Sequence, residues 1–470
     1  MPVHSATPAG WLSSRGRVLS GVGIGVLTWV FAPDLVDEAV GDGLAWEMRL
    51  RELPSRLGVY FILGLCLFSH QPYGQVLREM TGGLQGALAA NGWQLPATTA
   101  LTGVRRRVGD KPLESLFWRL ASALTWGQAS WSHLCGLLVV AWDGTTVAAA
   151  DSPANTAAFG KPGAGCRRTD TAEDPAGRAA VFPQLRLVTL VACGTRALLG
   201  ASFAPVRGKG TGERDLARDL LPSLRPGMLL LADRGFYSYT LWTAAARAGA
   251  HLLWRATDNM QLPVARELPD GSWLATIRDP RTVQARLHKN GKRRRRGSPL
   301  PPDTSPLPAI TVRVIEFTLT ITGPGTATRT ARYRLITTLL NWQTHPAATL
   351  AGCYGRRWAA ETAYREFKTY LRGTGRVLRG RTPELARQEL WAYLALYQAI
   401  RTIICRAAAR DGTDPGQISF TAALHAARRT ITTARHNMTA ALDQAEAEIL
   451  DPRALIPPRQ ARICESPRIS

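Results

Sequence analysis

The sequence is short of acidic residues, of paired cysteines and of long apolar runs, and each shortage excludes a class of protein. Asp and Glu number 35 against 58 Lys and Arg. The seven cysteines are scattered, without the Cys-x2-Cys spacing of zinc sites, and their odd number argues against a secreted disulfide framework. No run reaches the roughly 20 uninterrupted apolar residues that a membrane span needs. We therefore expect a reduced, cytoplasmic protein without a membrane segment.

What the chain has in excess is positive charge, with a formal net charge of +23. Arginine provides nearly all of it, so a coding preference explains the Arg/Lys ratio but leaves the excess over Asp and Glu unexplained. A protein this basic usually binds a polyanion, most often nucleic acid. Charge alone leaves an acidic membrane surface as the alternative.

The pattern of apolar residues and chain breakers predicts an α/β protein with several parts. Helical periodicity dominates the first quarter, short apolar strands mixed with helices follow, and a strand-rich stretch broken by Pro and Gly precedes the last helices. The 470 residues suffice for two to four domains. The predicted segments are a disordered tail (1–17), a helical domain (18–130), the first part of an α/β core (131–249), a β-rich insertion (250–342), a core helix (343–380), C-terminal helices (381–450, with helices over 382–409 and 417–448) and a tail (451–470).

Two aspartates stand out because each follows a buried strand. Asp143 follows the apolar run 137–142, and Asp233 follows the run 228–232. Ligand sites in α/β sheets lie at strand ends, and a carboxylate there is costly to bury without a counter-ion. Mg²⁺ prefers such oxygen ligands. Either aspartate alone could be a helix cap or a turn residue, but their similar contexts favour a metal site.

A third carboxylate, Glu361, lies on a long helix predicted over 346–371. At about 100° per residue, Arg357, Glu361, Arg365 and Lys368 fall within roughly 40° of one another, with Tyr354 on the same side. This stripe fits an active site and a solvated salt-bridge ladder equally well. Position 368 is a lysine in a chain that uses arginine for nearly every other cation, and this choice favours a role for a compact ammonium there.

These residues carry a resemblance to a known family. The spacing Tyr-x2-Arg-x3-Glu-x6-Lys, and the contexts Asp-Gly-Thr at 143 and Asp-Arg-Gly-Phe-Tyr at 233, resemble the signature of bacterial DDE transposases of the insertion-sequence-four family. The resemblance covers residues 18–410. It implies an RNase H-like catalytic core with an all-α N-terminal domain, a β-rich insertion and C-terminal helices.

The resemblance also implies a chemistry. Asp143, Asp233 and Glu361 would be the catalytic residues and would hold two Mg²⁺ ions, for which Mn²⁺ can substitute. The protein would cut double-stranded DNA at the inverted repeats of a transposon and join the freed 3′-OH to target DNA, with a hairpinned end as one route. A homodimer on paired ends is implied too, with the C-terminal helices as the interface.

DNA-binding residues follow from the same resemblance. Tyr354, Arg357 and Lys368 would contact phosphates, with Arg365 beside them, and such contacts position DNA without reading its sequence. An insertion-domain aromatic would stack on a flipped base, for which Trp254 and Trp273 are candidates, although the sequence favours an ordinary core tryptophan at each position.

The basic run 293–296, which includes Arg294 and Arg295, could follow the DNA backbone as a flexible arm or be a solvated loop. Two rival functions stay open: an RNase H-like nuclease or resolvase that never joins strands, and a catalytically silent DNA-binding repressor derived from a transposase.

Overall fold

A computed structural model of the chain describes residues 22–43, 53–122, 131–162, 182–295, 309–321, 329–431, 437–456 and 464–465. The N-terminal part of these residues is all helical, which confirms the all-α region predicted there. Its helices are α1 (Pro33–Asp42), α2 (Ser55–Leu67), α3 (Tyr73–Thr81), α4 (Gln85–Ala90), α5 (Thr98–Val108) and α6 (Lys111–Ser122). Helix α2 is buried nearly all round, because its residues are apolar on every face.

The core of the protein is a mixed sheet with helices on both faces. Its elements are β1 (His133–Leu134), β2 (Leu137–Ala148), α7 (Pro153–Phe159), β3 (Gln184–Ala192), β4 (Leu198–Pro205), α8 (Glu213–Asp219), β5 (Met228–Ala232), α9 (Tyr239–Arg247) and β6 (His251–Arg255). Strands β2, β3 and β4 are antiparallel neighbours, and β5 and β6 join β2 in parallel, in the order β4-β3-β2-β5-β6. Three antiparallel strands followed by two parallel ones form the RNase H-like arrangement, as predicted.

One detail of the core differs from the prediction. Asp143 lies within β2, which continues to Ala148, and does not end it. The strand is longer because β3 pairs with it throughout, from Val140 to Ala148. On the opposite edge, pairing with β5 stops at Ala141–Leu231. Asp143 therefore lies just beyond the end of the parallel pairing, which is the strand end that matters for a ligand site.

The insertion extends the same sheet. Its elements are β7 (Arg266–Glu267), β8 (Trp273–Arg278), α10 (Pro280–Arg295), β9 (Ala309–Ile321) and β10 (Arg329–Thr337). Strand β10 pairs antiparallel with both β9 and the core strand β6, so the sheet runs on without a break. The basic run predicted as an arm or a loop is helical as far as Arg295, because arginine is a good helix former and Pro280 suits the first turn. Position 296 lies outside the described residues.

The C-terminal part is helical again. The single helix predicted over 346–371 consists of α11 (Ala347–Tyr354), a 3₁₀ turn (Gly355–Arg357), α12 (Trp358–Arg365) and a π-helical turn (Glu366–Leu371). Helices α13 (Pro383–Asp411), α14 (Phe420–Arg429) and α15 (Met438–Ile449) follow. The helix predicted over 417–448 is thus two helices, since the side chain of Asn437 caps the start of α15.

Two further observations complete the fold. Strand β11 (Cys464–Glu465) falls in the predicted disordered tail, but it pairs with β9. Helix α13 is buried over most of its length and packs between the N-terminal helices and the core, which ties the parts together. No helix in the described ranges is long and apolar enough to cross a membrane.

Candidate active site

Asp143 is a largely buried carboxylate on β2. Alternation along the strand directs its side chain to the face on which α12 packs. Its Oδ1 accepts a hydrogen bond from the backbone N–H of Gly144 at 3.0 Å. Burial raises the pKa of Asp143 to about 6, against the opposing effects of that N–H and of Arg357, and the charges of Glu361 and Glu213 raise it further. An elevated carboxyl pKa in a site of this kind is typical of functional residues.

Asp233 comes directly after β5. The last pair between β2 and β5 joins Ala141 to Leu231, so two more residues along each parallel strand bring Asp143 and Asp233 level. The Asp233 side chain is 40% exposed, and its Oδ1 lies 3.9 Å from the guanidinium of Arg255. The two aspartates therefore share one edge of the sheet, as the sequence predicts.

Glu361 reaches this edge from α12, and Arg357 connects it to the aspartates. The Arg357 guanidinium donates a hydrogen bond to Glu361 Oε1 at 2.8 Å and is 12% exposed. Burial opposes its charge, but Tyr354 and all three carboxylates, Asp143, Asp233 and Glu361, outweigh burial and raise the pKa of Arg357. Arg357 thus pairs with Glu361 and is close enough for its charge to interact with both aspartates.

The donor set fits a divalent cation by its chemistry. All three groups are carboxylates, which are the ligands that hard cations prefer. In the described part of the chain, the Asp143 carboxylate has no bond other than that from Gly144, so its negative charge is buried without a direct counter-ion. Among the same residues, no three His, Cys, Asp or Glu side chains stand close enough to hold one ion. Arg357 is the cation that pairs with one of the three, Glu361.

Tyr354 and Lys368 lie on either side of the aspartates. The Tyr354 hydroxyl donates to the carbonyl of Ala232, directly before Asp233, at 3.3 Å. The Lys368 ammonium donates to Thr145 Oγ1 at 3.1 Å, two residues beyond Asp143 on the same face of β2. Burial, and then the charge of Arg372, lower the pKa of Lys368.

The π-helical turn separates Lys368 from the rest of the predicted stripe. A turn with i→i+5 hydrogen bonds holds more residues than an α-helical turn, so residues after Arg365 leave the α-helical phase. Arg365 is exposed at the end of α12, while Lys368 is half-buried against β2. Glu366, which begins the turn, is buried and ion-paired with Arg196 at 2.8 Å and with Arg401.

The two tryptophan candidates are core residues. Trp254 on β6 is fully buried, with its ring 5.7 Å from that of Trp142 and 5.2 Å from that of Trp242. Trp273 is 6% exposed, and its indole N–H donates to the carbonyl of Leu262 at 3.2 Å. Neither ring can stack on a base while the core is intact, so the base-stacking hypothesis is wrong for both.

Two aromatic residues were missed. Tyr364 donates to the carbonyl of Asp143 at 2.6 Å and accepts from the Thr189 hydroxyl at 2.9 Å, so it ties α12 to β2 and β3. Trp358 is 41% exposed, although it lies within the Tyr-Arg-Glu-Lys signature and its ring centroid is 6.0 Å from the Arg357 guanidinium. The sequence did carry a signal for Trp358, because it is a large apolar residue that lies away from the buried face of this helix.

The raised pKa of Asp143 predicts a pH-dependent difference in stability between the wild type and Asp143→Asn. The folded state keeps the Asp143 proton up to about pH 6, whereas the ordinary pKa of an aspartate is 3.8. Because the folded state binds more protons between these values, wild-type stability falls as pH rises through that window. We compare the free energy of unfolding of the variant with that of the wild type, both in EDTA. Between pH 4 and pH 7 we expect this difference to shift in favour of the variant by on the order of 2 kcal/mol. Denaturant unfolding at several pH values measures this gain, and parallel pH curves would contradict the assignment.

Comparison with known proteins places the chain in a family. The family described as insertion element 4 transposase N-terminal matches residues 22–118, and the one described as transposase DDE domain matches residues 135–398. The chain is 26% identical over 392 residues to the transposase InsG for insertion sequence element IS4 of Escherichia coli (strain K12), which covers 83% of this chain and 78% of that one. A solved piggyBac transposase synaptic complex with hairpin DNA aligns with 94% of this chain and 84% of that one, at 8% identity and a TM-score of 0.41. The second match spans more than half of the chain, from β2 to the middle of α13, and the chain therefore belongs to the insertion-sequence-four family of DDE transposases.

Proposed function

We propose that this transposase cleaves DNA at the ends of its insertion sequence and joins the freed 3′-OH to target DNA, with Asp143, Asp233 and Glu361 as its catalytic, metal-binding residues. The observation that carries the proposal is the register of β2 and β5, which sets Asp143 level with Asp233 at one edge of the sheet. Glu361 pairs with Arg357, whose charge also acts on both aspartates. Two divalent ions bound there, Mg²⁺ or Mn²⁺, would activate the attacking oxygen and stabilise the leaving 3′ oxygen. Separate strands and a helix would supply the ligands, and such a scaffold would hold the site rigidly.

The chain's own residues would position the DNA. Tyr354, Arg357 and Lys368 lie at the carboxylates and are suited to phosphates, and the net charge of +23 supports association with a polyanion. A DNA phosphate could replace Glu361 as the partner of Arg357, and the guanidinium would then still have an anion to pair with. Arg365 and Trp358 are exposed on the same helix and would extend this contact. Arg294 and Arg295 on α10 would contribute more distant backbone contacts.

Assembly on DNA is part of the proposal. Two copies would bring the paired inverted repeats together, with the exposed faces of the C-terminal helices, chiefly α14 and α15, as the dimer interface. A hairpinned end is the processing route that the family resemblance implies. The rival functions, a nuclease without strand joining and a silent repressor, share the same DNA contacts and differ only in the products formed.

A strand-joining assay tests the function. The ends are identified as short inverted repeats in the DNA flanking the gene, and an oligonucleotide duplex with a pre-cleaved end is mixed with the full chain and a target plasmid. We expect joined product in Mg²⁺ or Mn²⁺ and none in EDTA. A duplex ending in a 3′-deoxynucleotide is the matched control, because it lacks only the nucleophile. Cleavage of intact ends without joining would indicate the nuclease, and specific binding without either product would indicate the repressor.

A further inference from the structure

Helix α10 of the insertion carries charge of one sign only. Its 16 residues, Pro280–Arg295, include seven Lys or Arg and no Asp or Glu. Like charges three or four residues apart destabilise a helix in water, and positions 286, 289 and 293 are Arg, Lys and Arg at those spacings. A polyanion bound along the helix relieves this repulsion, so the composition fits a polyanion as the partner of α10.

The N-terminal half of α10 has one face turned to solvent, called here the α10 face. The side chains exposed on it are those of Arg281, Gln284, Ala285 and His288. At about 100° per residue, these four positions fall within an arc of roughly 100°. Thr282, Val283 and Arg286, which lie between them in sequence, are half-buried. In the described part of the chain, the polar side chains of the α10 face have no hydrogen bond or ion pair, so they are available to a partner.

The start of α10 is fixed to the sheet. The helix follows β8 after a single residue, Asp279, and β8 pairs with β9 along its whole length. The Asp279 carboxylate accepts a hydrogen bond from the backbone N–H of Arg281 at 2.9 Å, and the Asp279 carbonyl accepts one from the Thr282 hydroxyl at 2.8 Å. The α10 face is therefore presented by a regular element of the scaffold, which a precise contact needs and a general attraction to phosphates does not.

We propose that the α10 face reads base pairs in the major groove of the inverted repeat, an inference that rests on the proposed function and concerns sequence specificity. An α-helix with its side chains is about 10–12 Å across and fits a groove about 12 Å wide. The Gln284 amide suits N6 and N7 of adenine, and the Arg281 guanidinium suits O6 and N7 of guanine. From Arg281 to His288 the helix rises about 10 Å, which spans about three base pairs.

The alternative role of α10 is that of an arm that binds phosphates alone, for which positive charge suffices. That role gives no part to Gln284, which is neutral and lies on the exposed face between Arg281 and His288. It also makes the loss of any contact equal on every DNA sequence. The two roles are therefore separated by Gln284→Ala, which removes no charge. Alanine is the best helix former, so the helix is retained in this variant.

The test is the binding of the full chain, in EDTA, to two duplexes of equal length and composition, the inverted repeat and a scrambled copy. Fluorescence anisotropy gives the two dissociation constants, and their ratio is the specificity. We expect Gln284→Ala and Arg281→Ala each to lower the specificity by about tenfold. Gln284→Ala should leave the scrambled affinity and its salt dependence unchanged. The matched controls, Gln343→Ala and Arg225→Ala, change exposed residues elsewhere and should keep the wild-type specificity.

Single base-pair substitutions in the inverted repeat locate the contact. Gln284→Ala should lose discrimination at one position, and His288→Ala at a position within about three base pairs of it. If Gln284→Ala keeps the wild-type specificity, or weakens binding to both duplexes equally, the α10 face does not read bases and the inference is wrong. Strand joining from a pre-cleaved end at saturating protein should be the same for Gln284→Ala and the wild type. A wild type that joins no strands overturns the proposed function, while the specificity ratios still decide the role of α10.

Discussion

Asp233→Asn should reduce end cleavage by about a thousandfold or more, because losing one carboxylate from a two-metal site removes several kcal/mol of transition-state stabilisation. Folding should be little affected, since the side chain is 40% exposed and its nearest cation, on Arg255, is 3.9 Å away. The measurement is the rate of cleavage of an end-containing duplex in Mg²⁺. Binding of the same duplex in EDTA should stay close to that of the wild type, because the phosphate-contacting side chains are unchanged.

The matched control for this variant is Asp258→Asn. Asp258 follows β6, is 76% exposed and pairs with Arg234 at 2.8 Å, so the substitution removes one carboxylate charge from a nearby surface that the site does not use. Its cleavage rate should stay within about twofold of the wild type, because exposed ion pairs contribute little. An Asp233→Asn protein that cuts as fast as this control would show that Asp233 holds no metal.

Arg401→Met should lower the free energy of unfolding by about 3–5 kcal/mol, the usual cost of removing one partner from a buried ion pair. Arg401 is fully buried on α13, where it pairs with Glu366 and lies 5.5 Å from the ring centroid of Phe420. Without it, Glu366 stays buried with Arg196 as its remaining cation. Chemical denaturation followed by tryptophan fluorescence measures the loss.

Arg218→Met is the control for stability. Its ion pair with Asp215 lies on the surface, with both side chains more than a third exposed, so we expect a loss within about 1 kcal/mol. If Arg401→Met loses no more unfolding free energy than Arg218→Met does, then Arg196 alone is enough to balance the buried charge of Glu366. Because Glu366 begins the π-helical turn that carries Lys368, Arg401→Met should also weaken DNA binding in a salt-dependent way.

The elements that a local pattern encodes were predicted well. Strand β5 has the predicted bounds, because a continuous apolar run between polar residues leaves few alternatives. The order of strands and the RNase H-like core came from the resemblance, since no local pattern states which strands pair. The bounds of β2 were missed because its second half pairs with β3 alone, and that ladder depends on residues about 40 positions away.

The site was predicted in its members and missed in its detail. Asp143, Asp233 and Glu361 could be named from strand context and the signature, but their roles remain predictions. The π-helical turn could not be foreseen, because a buried Glu366 held by Arg196 and Arg401 is a tertiary arrangement. Trp254 illustrates the opposite error: its burial between Trp142 and Trp242 depends on packing, which sequence position alone does not reveal.

The pairing of β10 with β6 has a consequence for how the protein can change over evolution. The chain leaves the core after Arg255 and returns opposite it at Leu335, so the two ends of the insertion are adjacent hydrogen-bonded strands. An insertion of different length between these two strands need not move Glu361. Each doubling of loop length costs only about 0.6 kcal/mol of closure entropy. The spacing between Asp233 and Glu361 is therefore free to drift, whereas the register that sets Asp143 level with Asp233 is not.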